Sequence, residues 1–231
     1  MTTQTPAAEV HDRSIGNIIA KANNLSAEQV EQILQYQRNQ GVRFGEAAVA
    51  LGLAKGDEVL WALSQQFHYP YAPGSGERFA ADLVLAKKPF SAQAEAVRAL
   101  RSQINMRLYT GEQQRLPLAV LSAARGDGRS FLAANLAIAF SQLGGRTLLV
   151  DADMRNPRQQ QIFGLTGESA AGLSGILSGR PERNTVQSVP ELPSLFVMPV
   201  GVLPPNPTEL VERPAFGLLM RELQGKFDYV I

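Results

Sequence analysis

Two kinds of hydrophobic pattern divide this chain. Over residues 14–72 the apolar positions recur at helical spacing, which predicts a small helical domain at residues 1–72. Residues 73–79 contain two glycines, a proline and a serine, and we assign residues 73–89 to a linker. Further along, helical stretches alternate with short apolar runs, which is typical of α/β proteins. We therefore expect residues 90–231 to form a mainly parallel sheet flanked by helices, incomplete at its C-terminal end.

The N-terminal region contains an internal repeat with a period of 29 residues. Ile15 recurs as Phe44, and Leu34 recurs as Leu63. Each copy predicts a short helix, a tight turn and a second helix that opens near an N-cap such as Ser26. A helical bundle that packs only its own core and a ligand-binding module are both consistent with this repeat.

Composition narrows the classes of protein to consider. The apolar content of 45% suits a packed core, and the net charge of +1 gives no reason to expect a nucleic-acid partner. The chain has no cysteine, which fits the cytosol. No apolar run approaches the roughly 18 residues that would span a bilayer, so we expect any membrane role to be exerted through a partner. The chain stops inside a predicted strand at Ile231, and we expect it to be a piece of a longer protein.

A candidate phosphate-binding loop follows the apolar run that begins at Leu118. The segment LAVLSAARGDGRSF has the strand–loop–helix layout of a P-loop, whose backbone N–H groups and helix N-terminus bind phosphates. A turn between a strand and a helix that binds no ligand would have a similar pattern. The predicted phosphate-binding residues are Ala124, Arg125, Gly126, Asp127, Gly128, Arg129, Ser130 and Phe131.

One residue of this loop departs from the standard motif. Arg129 stands where a P-loop has lysine. Arginine keeps the positive charge, but its guanidinium is wider and forms two parallel hydrogen bonds where lysine presents a compact ammonium. We expect phosphate binding to survive this exchange, and we regard placement of the terminal phosphate as the open question. Ser130 offers a hydroxyl that suits Mg²⁺.

Two acids follow the next predicted strand. Residues 146–150 form a buried apolar run that ends in Asp151 and Asp153. Ligands of α/β proteins bind at the carboxyl ends of parallel strands, so we expect both carboxylates to lie near the loop. Such acids can hold Mg²⁺ or accept a proton from an attacking hydroxyl. A helix cap without a ligand is the alternative.

The segment LLVDADMRNP resembles the A-prime motif of bacterial tyrosine kinases, which are P-loop enzymes of capsule and exopolysaccharide assembly. Three further stretches resemble motifs of the same family. They are an E-x-x-R-x-x-R helix at Glu95, Arg98 and Arg101, the loop GVLPPNPTEL at residues 201–210, and the apolar strand at residues 229–231. The resemblance covers residues 88–231, is strongest to the chain-length determinant subgroup of exopolysaccharide clusters, and implies a P-loop NTPase-type fold.

This resemblance implies an ATP-dependent protein-tyrosine autokinase that regulates polysaccharide chain length or export. It implies that the loop holds ATP, that Ser130 and Asp153 help to coordinate Mg²⁺, that Asp151 activates the tyrosine hydroxyl, and that Arg129 takes part in catalysis. The family normally has lysine at position 129, and its Walker B aspartate and tyrosine-rich tail are expected beyond Ile231.

Partners are also implied by the resemblance. Glu95, Arg98 and Arg101 would join copies of the chain into a ring, in which one subunit phosphorylates the tail of the next. A membrane-embedded chain-length protein would hold the kinase at the cytoplasmic side of the inner membrane. No nucleic-acid partner is expected.

The N-terminal repeat resembles the N-terminal domains of type II secretion and type IV pilus assembly ATPases, some of which bind cyclic di-GMP. The second copy matches their motif at Arg43, Gly45 and Gly52, whereas the first copy has Ser14 in place of the arginine and Asn23 in place of the second glycine. The resemblance implies a cyclic di-GMP site at the second copy.

Two functions remain open from the sequence. The intact A-prime acids favour the autokinase. Arg129 favours a nucleotide-responsive regulatory module without kinase activity, in which the N-terminal repeats sense a second nucleotide. The ATPases that partition chromosomes share the sheet, but they carry a lysine near the loop start, where this chain has Ala124.

Overall fold

The computed structural model describes residues 15–66, 78–109, 116–165, 171–180 and 183–231, and the chain forms two compact units, Met1–Gly74 and Ser75–Ile231. The described part of the first unit has four helices: α1 (Ile15–Ala22), α2 (Ala27–Gln40), α3 (Phe44–Ala50) and α4 (Gly56–Gln66). Phe44 follows Ile15 by 29 positions, and Gly56 follows Ala27 by the same interval. The two helix pairs therefore start in step with the sequence repeat.

The first unit packs around small and branched apolar side chains. Ile19, Ile33, Ala48 and Ala62 are fully buried in this cluster. The start of α2 is fixed by Ser26, whose hydroxyl accepts the Gln29 N–H at 3.2 Å, while the Gln29 side chain accepts the Ser26 N–H at 2.8 Å. This reciprocal cap satisfies two helix-end donors and sets the position at which the helix begins.

The second unit is built on a four-stranded sheet. The strands are β1 (Thr147–Val150), β2 (Gln187–Ser188), β3 (Leu195–Met198) and β4 (Tyr229–Val230), in the order β2-β3-β1-β4. The central strand β1 runs parallel to β3 and β4, and β2 pairs antiparallel with β3. The expected α/β class with a mainly parallel sheet is confirmed.

Seven helices of the described residues flank this sheet. They are α5 (Val84–Lys87), α6 (Ala92–Leu108), α7 (Arg129–Ser141), α8 (Gln159–Ile162), α9 (Leu173–Leu177), α10 (Pro207–Glu212) and α11 (Pro214–Lys226). Neighbouring residues of β1 face opposite ways, because Leu149 joins the apolar cluster of α5 to α7 and Leu148 joins the cluster that contains α9 to α11. The sheet therefore separates two layers of helices.

The predicted linker is folded over its described part. Phe79, Leu83 and Leu85 are almost fully buried in the core of the second unit, and α5 lies within residues 78–89. The glycines and proline at residues 73–76 lie outside the described residues. The linker prediction was wrong from residue 79 onwards, because the apolar run FAADLVLA packs against α7.

The segment before the loop is not a strand of the sheet. Residues 116–122 have no regular secondary structure, although the Leu118 N–H donates to the Val230 carbonyl at 2.8 Å. This bond places the segment beside β4, but the segment does not form a regular ladder with it. The strand–loop–helix prediction is therefore right for its loop and helix and wrong for its strand.

Asn135 ties α5 to α7 and should be important for stability. Its side chain is fully buried; it accepts the Leu85 N–H at 3.1 Å and donates to the Asp82 and Phe131 carbonyls at 2.8 Å each. We expect Asn135→Ala to lower the free energy of unfolding by about 2–3 kcal/mol, because it removes three hydrogen bonds of a buried amide. Chemical denaturation measures this loss. Asn105→Ala, at a half-buried amide on α6, should change stability by less than about 0.5 kcal/mol, and an equal loss in the two variants would contradict the bridging role.

No helix among the described residues is both long enough and apolar enough to cross a membrane.

Candidate functional site

A cavity of about 480 Å³ opens at the carboxyl end of β1 within the second unit. Its walls come from segment 117–122, the start of α7, the residues after β1, and α11. Arg129, Ser130, Asp151 and Asp153 all line this cavity. The side chains that the sequence assigned to phosphate, metal and proton transfer thus share one space, at the edge where α/β sheets bind ligands.

The loop that leads into α7 turns through left-handed backbone. Gly126 has φ 95° and Gly128 has φ 85°, values that residues with a side chain rarely adopt. Gly128 is the N-cap of α7, so unpaired N–H groups of the helix end face the loop. Asp127 accepts the Ala124 N–H at 3.0 Å, so this carboxylate already pairs with one amide of the loop.

The guanidinium of Arg129 folds back across the loop. Its Nη1 donates to the Ser122 hydroxyl at 2.7 Å and to the Ala124 carbonyl at 3.2 Å. Its Nη2 lies 4.0 Å from Asp153 Oδ2. The side chains of Arg129 and Asp153 are 35% and 39% exposed. Since solvent screens such a pair to about 1 kcal/mol or less, Ser122 is the stronger anchor of the arginine.

The carboxylate of Asp151 is buried and accepts three backbone hydrogen bonds. The residue is 5% exposed; Oδ1 accepts the Asp153 N–H at 3.2 Å, and Oδ2 accepts the N–H groups of Arg158 and Gln159 at 2.9 Å each. Burial raises the pKa of Asp151 above its ordinary value of 3.8, and the repulsion of Asp153 acts in the same direction, while the three N–H bonds partly offset both. This carboxylate is therefore a better proton acceptor than a solvated one.

Asp153 shapes the turn that follows β1. Its Oδ1 accepts the N–H groups of Arg155 at 3.2 Å and of Asn156 at 2.9 Å, and its Oδ2 points towards Arg129. Arg155 in turn donates from Nη2 to the Thr208 hydroxyl at 3.0 Å. The A-prime segment is thereby joined to the start of α10, where the GVLPPNPTEL loop ends.

The residues predicted for catalysis and metal binding line the cavity, whereas most of the predicted phosphate-binding residues do not. Residues 124–128 are exposed and do not line the cavity, and the Phe131 side chain packs against the core of the second unit. The sequence interpretation missed Ser122 and Gln159, both of which line the cavity. Gln159 Nε2 donates to the Ser130 carbonyl at 3.2 Å. The one signal for Ser122 in the sequence is that a polar residue directly follows an apolar run.

The arginines of the predicted interface helix make contacts within their own chain. Arg98 pairs with Glu95 at 3.2 Å and donates to the Pro89 carbonyl, and Arg101 donates to the Ala139 carbonyl at 3.2 Å. The Glu95 side chain is 74% exposed. These contacts join α6 to its neighbours, and the role of the helix between subunits stays a prediction.

The residues predicted for cyclic di-GMP have structural roles in the first unit. The Arg43 N–H caps α3 by donating to Glu46 Oε2 at 2.9 Å. A Cβ on Gly45 would lie 2.5 Å from Val59 Cγ1, and Gly52 has φ 69°. The helical bundle explains both glycines, and the cyclic di-GMP site stays a prediction.

The described residues contain no group of three or more His, Cys, Asp or Glu side chains that could hold a metal ion. Ser130 and Asp153 nevertheless share the cavity, and a hydroxyl with a carboxylate is the hard oxygen donor set that Mg²⁺ prefers, usually together with waters and substrate phosphates. The residues present therefore fit Mg²⁺ bound together with a nucleotide.

Known proteins that are similar to this chain include bacterial tyrosine kinases. No family model matches the chain. Tyrosine-protein kinase CpsD of Streptococcus agalactiae is 34% identical over 137 residues, which is 59% of this chain and 58% of that protein. Among solved structures, the chimerical protein CapA2B2 is 33% identical with a TM-score of 0.58 over 73% of this chain and 72% of that one. The kinase domain of Escherichia coli tyrosine kinase ETK is 28% identical with a TM-score of 0.59 over 67% of this chain and 58% of that one. The chain spans less than two thirds of the length of CpsD.

Proposed function

This chain belongs to the bacterial tyrosine kinase family, and from that premise we propose that it is an ATP-dependent protein-tyrosine autokinase that regulates the chain length or export of a capsule or exopolysaccharide. One observation carries the proposal: Arg129, Ser130, Asp151 and Asp153 line a single cavity at the carboxyl end of β1. The same fold without these four side chains at the carboxyl end of β1 would support only a structural or regulatory role.

Asp151 is our candidate for the proton acceptor. In the proposed reaction a tyrosine oxygen forms a bond to the γ-phosphorus of ATP, the bond between that phosphorus and the ADP oxygen breaks, and the tyrosine proton passes to Asp151. The three N–H bonds hold the carboxylate in one orientation, and burial raises its pKa towards a value suited to accepting a proton.

The loop at residues 124–131 is our candidate for the phosphate site. The N-terminal end of α7 favours negative charge, and Arg129 adds a formal positive charge beside the cavity. A guanidinium can bind two phosphate oxygens in parallel, so it suits a terminal phosphate despite its difference from lysine. Phosphoryl transfer depends chiefly on positioning and charge, and both are properties of this arrangement.

Ser130 and Asp153 are our candidates for holding Mg²⁺ with the nucleotide. When bound, Mg²⁺ supplies positive charge that neutralises phosphate oxygens. Asp153 keeps its turn through Oδ1, which leaves Oδ2 directed towards the loop.

We further propose that copies of the chain associate through the exposed side of α6, including Glu95. Arg98 and Arg101 would hold the helix in place through their bonds to the Pro89 and Ala139 carbonyls. A membrane-embedded chain-length protein would then hold the kinase at the cytoplasmic face of the inner membrane, where ATP is available. The family membership and the exposure of Glu95 support this arrangement.

The decisive experiment incubates the full-length protein with Mg-ATP and probes it for phosphotyrosine. We expect wild type to become phosphorylated and Arg129→Lys to keep a rate within about tenfold of it, because both residues bring positive charge to the phosphates. Calorimetry with ATP measures binding in parallel. If wild type gives no signal and Arg129→Lys gains one, the natural protein is not a kinase.

The same experiment separates the alternative function. A nucleotide-binding regulatory module would bind ATP by calorimetry but show no phosphotyrosine in wild type or in Arg129→Lys. The absence of ATP binding in both proteins would contradict both functions.

A further inference from the structure

Ser122 lies outside the P-loop motif but contacts its most unusual residue. Its hydroxyl accepts a hydrogen bond from Arg129 Nη1 at 2.7 Å and donates to the Ala124 carbonyl at 3.1 Å. Arg129 Nη1 also donates to that carbonyl at 3.2 Å. The hydroxyl, the carbonyl and the guanidinium thus form a closed set of three contacts across the loop.

This set of contacts restrains a long and otherwise mobile side chain. A free arginine samples many rotamers, and ordering it when a phosphate arrives has an entropic cost. Both hydrogen bonds of Nη1 are strengthened by the charge of the guanidinium, and the bond to Ser122 is the shorter of the two, at 2.7 Å against 3.2 Å for the Ala124 carbonyl. The bond to Ser122 is therefore the main restraint on Arg129. With Nη1 held by the loop, Nη2 is the nitrogen directed towards Asp153 and the cavity.

We propose that Ser122 is a positioning residue that orders the Arg129 guanidinium before the nucleotide binds, so that Nη2 faces the terminal phosphate. The inference rests on the proposed nucleotide site and adds to it the reason why this loop can use arginine. Lysine has a single terminal nitrogen, which cannot be held by the loop while a second nitrogen meets the ligand. The contribution of Ser122 should therefore depend on the residue at position 129.

A double-mutant cycle tests this dependence. The Kd of the non-hydrolysable analogue adenylyl imidodiphosphate, with Mg²⁺, is measured by calorimetry on the full-length wild type, Ser122→Ala, Arg129→Lys and the double variant. We expect Ser122→Ala to raise the Kd about tenfold in the arginine background and by less than about twofold in the lysine background. Ser122→Thr, which keeps the hydroxyl, should restore the Kd to within about twofold of wild type.

The controls separate positioning from loop structure. Ser178→Ala removes another hydroxyl that donates to a backbone carbonyl, the Ser174 carbonyl at 2.7 Å, and should leave the Kd unchanged. Ser122 is exposed, so its replacement should leave the far-UV circular dichroism unchanged.

Three results would overturn the inference. Equal losses from Ser122→Ala in the two backgrounds would mean that the serine only shapes the loop through Ala124. No loss in either background would mean that Arg129 needs no partner. A wild type that binds no analogue would overturn the proposed function together with the inference, whereas the first two results leave nucleotide binding intact.

Discussion

Asp151→Asn should lower kcat for tyrosine autophosphorylation at least about a hundredfold, because an amide cannot take the proton of the attacking hydroxyl. ATP binding should change much less, since the loop and Arg129 are untouched. A time course of phosphotyrosine formation under saturating Mg-ATP measures the first effect, and calorimetry measures the second.

A matched control is available at the opposite end of β1. Asp228 also uses its carboxylate to accept a backbone N–H, that of Arg146 at 2.7 Å, but it does not line the cavity. Asp228→Asn should keep kcat within about threefold of wild type. Similar losses of kcat in the two variants would contradict a catalytic role that is specific to Asp151.

The dependence of wild-type activity on pH gives a second test of Asp151. The reaction needs the ionised carboxylate, so activity should be lost as pH falls through the raised pKa of this group. The acid limb of kcat should therefore lie above pH 3.8, the ordinary value for aspartate, and should report the buried group. An acid limb at or below that value would argue against Asp151 as the proton acceptor.

Gly172→Ala should lower the free energy of unfolding by about 3 kcal/mol, because a side chain at this position meets backbone and not flexible atoms. A Cβ there would lie 2.4 Å from the Gly201 nitrogen and from the Pro199 carbonyl oxygen. The two segments cannot move apart freely, since the Leu173 N–H donates to Pro199 at 3.0 Å. Urea denaturation monitored by circular dichroism measures the loss.

Gly217→Ala is the matched control for this prediction. Gly217 lies within α11, and a Cβ on it would meet nothing within 4 Å. Alanine should stabilise the protein there by about 0.5–1 kcal/mol, because it is the better helix former. A loss at Gly217, or no loss at Gly172, would show that α9 tolerates a larger separation from the end of β3 than the packing indicates.

Much of the second unit was predictable because its apolar runs have clear ends. The strand expected at residues 146–150 is β1, the strand expected at residues 229–231 is β4, and the helix expected after the loop begins at Arg129. That Arg129 and Ser130 share a cavity with Asp151 also followed from a general rule. Ligands of α/β proteins bind at the edge of the sheet where the parallel strands have their carboxyl ends. Local sequence was sufficient wherever one pattern implied one arrangement.

The remaining features depend on contacts between distant residues. The linker prediction failed because it extended the turn-forming residues at 73–76 over the apolar residues that follow them, and those residues pack on α7. The segment before the loop has the composition of a strand, but whether it joins the sheet depends on pairing with β4, which lies more than a hundred residues away in the sequence. The hydrogen bond between Ser122 and Arg129 follows from one rotamer across a turn, which no spacing rule predicts.

The three hydrogen bonds to Asp151 affect what can be inferred about kinase activity from the sequences of related proteins. The same carboxylate that we assign to proton transfer also holds the N–H groups at residues 153, 158 and 159. Asparagine has one acceptor oxygen where aspartate has two, so it would leave at least one of these groups unpaired. A descendant that had lost phosphoryl transfer altogether would still lose some stability if it lost this aspartate, and would therefore tend to keep it. Its presence in a genome sequence is therefore weak evidence of an active kinase, and a survey of the family should score other positions of the cavity instead.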